Sequence, residues 1–217
     1  MQKKIVVKTR QETEASVEDL YILIRLAFLQ WKEAGLDNTA LHISLDQFCK
    51  CLVRQVVFVA QDEATGELQA MHTLRLNKRK GRADGANLAV SPKAKHEGIA
   101  SRMLEEEVQR LRKAGYRYMM GSTGIPATWS VRWHLKNGYR IVGYSRSERN
   151  NYDSYVFRKQ IATDVWHHPT DLLWTRPIAP MTAKISYTAS YIATSICKTR
   201  DGHLNRIGRM AKKILKR

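Results

Sequence analysis

The sequence predicts an α/β fold, and three observations carry that prediction. Apolar residues switch between a period of two and a period near 3.6 along residues 5–160. A strand, a basic turn and a helix follow one another between Leu88 and Leu104, with Gly98 opening the helix. The resulting order is β, α, α, β, β, β, α, β, α, β, β, strands interleaved with helices.

Taken in order, Ile5, Val6 and Val7 form the first strand. Ser16 before Val17, Glu18 and Asp19 reads as an N-cap with an acidic first turn, which answers the helix's unpaired amides and the positive end of its dipole. Residues 20–31 are apolar almost all round and stop near Gly35, so this helix is expected to be largely buried. Ser44 caps a second helix over residues 45–53. Residues 55–60 and 68–76 are β-rich and joined by a connection containing Gly66, which predicts a hairpin. Residues 78–82 form a basic turn, either a solvated loop or, near a site's mouth, a contact for an anionic substrate.

The next strand ends Leu88-Ala89-Val90 and stops at Ser91-Pro92. Ile99, Met103, Leu104, Val108 and Leu111 then recur at helical spacing until Gly115. Residues 116–120 supply another strand, residues 127–136 a short helix closed by Asn137-Gly138, and residues 139–145 and 154–159 the last two strands.

Composition bounds the class. A chain of 217 residues with 43% hydrophobic content suits one medium-sized domain with an appendage, divided as 1–160 for the domain, 161–180 for a proline-containing surface linker and 181–217 for a basic C-terminal extension. The first eight residues lack a secretory signal's apolar run and cleavage site, and no stretch reaches the roughly 18 apolar residues of a membrane span. The expected location is therefore cytoplasmic. Cys49, Cys51 and Cys197 are an odd number without framework spacing, which agrees with a reducing compartment, and buried free thiols are expected. The net charge of +17 calls for an anionic partner. Residues 164–217, a quarter of the chain, hold ten Lys/Arg against three Asp/Glu and so carry +7 of it.

The turn before the helix has a chemistry of its own. The first amides of a helix lack intrahelical partners and attract phosphate oxygens, and glycine there lets an anion approach the main chain. A Walker loop would need Gly-Lys-Ser/Thr, and a dinucleotide fold a glycine directly after the strand; neither pattern is present.

Val90 and Pro92, followed by Lys95, Gly98 and Ala100, resemble the pyrophosphate loop of the GNAT acetyltransferase superfamily, Gln/Arg-x-x-Gly-x-Gly/Ala after a strand ending Val-x-Pro. Ser130, Trp133, His134, Lys136, Gly138 and Tyr139 stand at the places of that family's closing helix-then-strand segment, and the element order is similar over residues 5–160.

The resemblance implies an N-acetyltransferase that uses acetyl-CoA as co-substrate and no metal. It also implies a mixed sheet whose fourth and fifth strands would splay so that pantetheine pairs with the backbone of Leu88, Ala89 and Val90, and the diphosphate would sit on Lys95, His96, Gly98, Ile99, Ala100 and Ser101. A small-molecule amine would attack the thioester directly, in a reaction that rests on positioning and charge stabilisation. The loop over residues 36–43 lies where family members shape the acceptor site.

Four positions depart from the family pattern. Lys95 keeps the charge of the usual Gln or Arg position without the planar fork of arginine. Glu97 places an anion beside the diphosphate and must turn outward. Ala127 replaces an asparagine that contacts the cofactor. His134 stands where a tyrosine commonly protonates the departing thiolate; an imidazole can serve as that acid, or it packs at a helix end. As general base only Asp84, near Gly81 and Gly85, offers itself, and an ordinary turn would contain the same acid.

The C-terminal quarter lies beyond the resemblance. Trp166-His167-His168 lacks the companion ligands of a metal site. Leu204, Ile207, Met210, Ala211, Ile214 and Leu215 form one helical stripe with Arg and Lys on the other faces, the pattern either of a helix lying on an anionic membrane surface or of one docking on the domain. Nucleic acid ranks below membrane, because no reading helix or aromatic RNA motif is present. A membrane-associated tail suggests an amino-sugar or lipid-linked acceptor; a protein or peptide amine is the alternative, and a degenerate domain acting as an adaptor is the non-enzymic one.

Overall fold

The computed structural model of the chain describes residues 4–146 and 150–162. One seven-stranded sheet runs through these residues in the order β1-β2-β3-β4-β5-β7-β6. The strands are β1 (Ile5–Thr9), β2 (Val56–Asp62), β3 (Leu68–Asn77), β4 (Arg82–Val90), β5 (Tyr118–Gly124), β6 (Arg140–Ser145) and β7 (Ser154–Gln160). Four helices accompany them: α1 (Val17–Glu33), α2 (Leu45–Leu52), α3 (Ile99–Lys113) and α4 (Thr128–Lys136). The eleven elements come in the predicted order. Neighbouring strands are antiparallel except β4 and β5, which are parallel.

Each face of the sheet has its own core. Leu20, Leu23 and Ile24 of α1 and Phe48 and Leu52 of α2 close on Val57, Val59, Met71 and Ala89. On the other face Ile99, Met103, Leu104, Val108 and Leu111 of α3 pack on Phe58, Ala60, Leu74, Ala83, Met119 and Phe157. Both α1 and α2 start with capping boxes, Ser16 with Asp19 and Ser44 with Gln47.

Two expectations need correction, and of the two readings of the basic turn the solvated loop is the one found. The helix α1 is not buried all round: Ile22, Leu26 and Leu29 are 45% to 56% exposed, because one sheet face covers only one side of a helix. Cys51 is exposed and Cys49 half-buried, since α2 turns its buried stripe through Phe48 and Leu52 instead. The basic turn Lys78–Lys80 sits at the C-terminal end of α3, where Lys78 donates to the Ala114 carbonyl and lies 5.1 Å over the Tyr116 ring. It does not line the main cleft. The predicted linker from residue 163 onward, the C-terminal helix, Cys197 and the Trp166 to His168 segment lie outside the described residues.

Candidate active site

The site follows from a fork in the sheet. The parallel ladder between β4 and β5 holds only Arg82, Ala83 and Asp84 against Tyr118, Met119 and Met120. Beyond Asp84, β4 continues beside β3 to Val90 while β5 continues beside β7 to Gly124, so their facing edges separate. The gap is a cleft of about 740 Å³, lined by Gly85 to Leu88 and Val90 from one strand and by residues 120–124 from the other.

A bulge shapes the β4 edge. Met71 pairs with Ala89 and Thr73 with Ala86, so Asn87 and Leu88 together oppose His72. Asn87 takes φ +53°, a left-handed value that asparagine tolerates better than most residues. Thr73 pins the bulge: its hydroxyl donates to the Ala86 carbonyl at 2.8 Å and accepts from the Asn87 side-chain Nδ2 at 3.4 Å.

At one end of the cleft stands the turn into α3. Gly98 is the N-cap at φ +74°, with no side-chain cap and no acid in the first turn. A Cβ at Gly98 would meet nothing within 4 Å, so glycine is required there by its dihedral angle, and the open space leaves the first amides accessible. Lys95, His96, Gly98, Ile99, Ala100 and Ser101 all line the cleft here. The Lys95 ammonium donates to the Gln30 side chain of α1 at 2.8 Å, and Glu97 is exposed.

At the other end are two imidazoles, both on the α3 face of the sheet. The His134 ring stacks on Phe157 at 4.6 Å and meets Tyr139 edge-on at 5.1 Å. Its Nδ1 lies 2.8 Å from the Ser130 carbonyl, which can only accept, so Nδ1 carries the proton and Nε2 is left toward Gly121. Burial is the main cause lowering its pKa below the ordinary 6.5, with the Ser130 bond opposing and His72 reinforcing the shift. His72, from β3, also lines the cleft, and both oxygens of the fully buried Glu107 lie within 3.0 Å of its Nδ1.

A third wall is aromatic. Trp31 has Phe28, Trp129 and Tyr152 around it at centroid distances of 5.6 to 5.8 Å, and all four rings line the cleft. Gly124 makes room for them, since a Cβ there would lie 2.7 Å from Tyr152. The loop after α1 is clipped to the chain before β7, with Asn38 donating to the Tyr152 hydroxyl at 2.7 Å and the Asn151 side chain accepting from the Asp37 amide at 2.8 Å.

The predicted positions therefore divide. Leu88, Val90, the turn residues and His134 share one cleft. Ala89 turns its side chain into the core on the α1 face, although its backbone remains part of the β4 edge. Asp84 stands in the closed part of the ladder and is held by Arg82 at 2.9 Å, on the face opposite Ala83 and the histidines. The sequence reading passed over His72, Glu107 and the aromatic wall; an acid inside the apolar stripe of α3 was the available signal.

Comparison with known proteins agrees with this architecture. A family model described as the acetyltransferase (GNAT) family matches residues 18–139, more than half of the chain. No curated protein gives a significant match. Among solved structures, a ribosomal-protein-alanine N-acetyltransferase from Escherichia coli is similar with TM-score 0.57 and 14% identity, over 76% of this chain and 100% of that one. A spermidine N-acetyltransferase chimera from Vibrio cholerae gives 0.56 and 13%, over 74% and 96%. An acetyltransferase of the same family from Elizabethkingia anophelis with acetyl-CoA bound gives 0.54 and 15%, over 72% and 97%. At such identities these likenesses show the fold alone, and the family match adds the lineage: the chain belongs to the GNAT acetyltransferase family.

Proposed function

We propose that this chain transfers the acetyl group of acetyl-CoA to a primary amine inside the β4–β5 cleft. The observation that carries the reading is the fork itself: a strand edge freed of its neighbour, ending at an uncapped helix N-terminus in one direction and at two imidazoles in the other.

The residues present fit the co-substrate. The Trp133 indole N–H lines the cleft, buried and without a hydrogen-bond partner among the described residues, and the freed edge of β4 faces the same space. Leu88, Ala89 and Val90 would hold the pantetheine arm through backbone groups, and the turn from Lys95 to Ser101 the diphosphate. When bound, acetyl-CoA supplies an activated acetyl thioester.

His134 is assigned to the departing sulfur. Its Nε2 must carry a proton to act as acid; burial makes the protonated ring scarcer at neutral pH and a readier donor. Asp84 is not retained as a base, because its carboxylate lies outside the cleft and is paired.

The aromatic wall and the clipped loop enclose the side of the cleft nearest α1, which suits an acceptor with an apolar or ring-shaped body. An amino-sugar or lipid-linked amine is the acceptor class we favour, with the basic tail holding the domain at an anionic membrane surface; the tail's charge and apolar stripe support this. Deleting residues 201–217 is expected to release the protein from phosphatidylserine-containing vesicles. Retained binding would remove the membrane role.

Acetyl transfer is tested by following free thiol release from acetyl-CoA across a panel of amino sugars, lipid amines and peptides. Amine-dependent release supports the reading. Acetyl-CoA binding without release on any amine would favour a binding domain.

A further inference from the structure

We infer that His72 is the general base of the proposed acetyl transfer and that Glu107 is its positioning partner; the inference rests on the acetyltransferase reading.

Glu107 interrupts the apolar stripe of α3 and is fully buried, in contact with the core that Met103, Val108 and Leu111 build. A buried carboxylate persists only when it is paired and hydrogen-bonded. His72 is that partner, with Nδ1 at 2.9 and 3.0 Å from the two oxygens. A carboxylate accepts, so the proton sits on Nδ1 and the lone pair on Nε2.

The ring is closely packed on its Nε2 side. It projects from β3 opposite the bulge at Asn87 and Leu88, and its Nε2 lies where a Cβ on Gly85 would come within 2.8 Å. Gly85 is the first residue of β4 beyond the closed ladder, so the lone pair sits at the base of the fork. Apart from Glu107, the His72 ring has no hydrogen-bond partner among the described residues.

The surroundings separate the two histidines. From α3, Glu107 faces His72, and Arg110 one turn on is engaged by Glu12 at 3.2 Å; α4 brings His134, followed by the Tyr139 hydroxyl; Asp84 of β4 lies across the sheet. His72 alone has a carboxylate to stabilise the imidazolium that forms when it accepts a proton. His134 has only a carbonyl, which suits an acid that returns to neutral.

The step balances. The Nε2 lone pair takes one proton from the acceptor's ammonium, the electrons of the broken N–H bond return to nitrogen, and the freed amine becomes the nucleophile. The imidazolium stays against Glu107 and passes its proton to water.

Two small amines of similar shape test this: ethylamine, an ammonium at neutral pH, and 2,2,2-trifluoroethylamine, which is neutral there. In His72→Gln, transfer to ethylamine is expected to fall about 100-fold or more, and transfer to trifluoroethylamine by less than tenfold. Glu107→Gln is expected to move the acid limb of kcat/KM for ethylamine to lower pH. Equal losses on both amines would overturn the assignment and leave a structural role. Nitrogen NMR of the free protein reads the ring without catalysis: Nδ1 protonated and Nε2 bare is expected, and a proton on Nε2 overturns the inference. Calorimetry separates the two claims. Unchanged acetyl-CoA affinity in His72→Gln leaves the cleft intact, whereas no affinity in wild type removes the acetyltransferase reading beneath it.

Discussion

Asp84 and Met120 form the last register pair between β4 and β5, and the six residues of β4 beyond Asp84 face a gap in place of a strand. The residues assigned to acetyl transfer lie along that gap or at its two ends, with Glu107 behind His72. The same pair explains why Asp84 is withdrawn as a base: ladder hydrogen bonding holds it behind the fork, and Arg82 occupies its carboxylate.

Gly85 is predicted to be intolerant of the smallest side chain. A Cβ there would lie 2.8 Å from Nε2 and 3.1 Å from Cε1 of His72. In Gly85→Ala the imidazole is displaced, and transfer is expected to fall at least tenfold while the far-ultraviolet circular dichroism stays native. Full activity in that variant would show that the ring's position is unimportant.

Thr73 is predicted to hold the bulge. Thr73→Val removes the hydroxyl that donates to the carbonyl of Ala86, an exposed residue of the β4 edge, at a cost of about 1 kcal/mol in denaturant unfolding. A change well below 1 kcal/mol would mean that the carbonyl finds another donor.

His134 sets a pH dependence of stability. Its folded pKa lies below the ordinary 6.5, so the unfolded chain binds more protons as pH falls through that value. The stability contributed by the neutral ring is present above about pH 6.5 and is lost on acidification. Comparing Tm at pH 7.5 and pH 5, wild type is expected to lose more than His134→Phe, which keeps the stack on Phe157. Identical losses would place the titrating group elsewhere.

Much of the architecture was legible in sequence because period and caps are local properties. All eleven elements appeared in order, and Ser16, Ser44 and Gly98 mark helix starts as expected. The bounds of β4 were less legible: Asp84, Gly85 and Asn87 are turn-type residues, and pairing with β3 overrides their preference. The face to which a residue points also depends on register, which is why Asp84 looked available and His72 passed as one more strand residue. The exposed Ile22, Leu26 and Leu29 show the same limit, since an apolar helix does not announce how many of its sides find a partner.

The central claim is that the turn before α3 holds the diphosphate of acetyl-CoA. It is tested most directly by calorimetry of acetyl-CoA with wild type and with Gly98→Trp, which fills the open space at the left-handed N-cap. The account predicts saturable binding by wild type and at least a tenfold weaker affinity in the variant, with the fold retained. Equal affinity in the two proteins, or none in wild type, would contradict it.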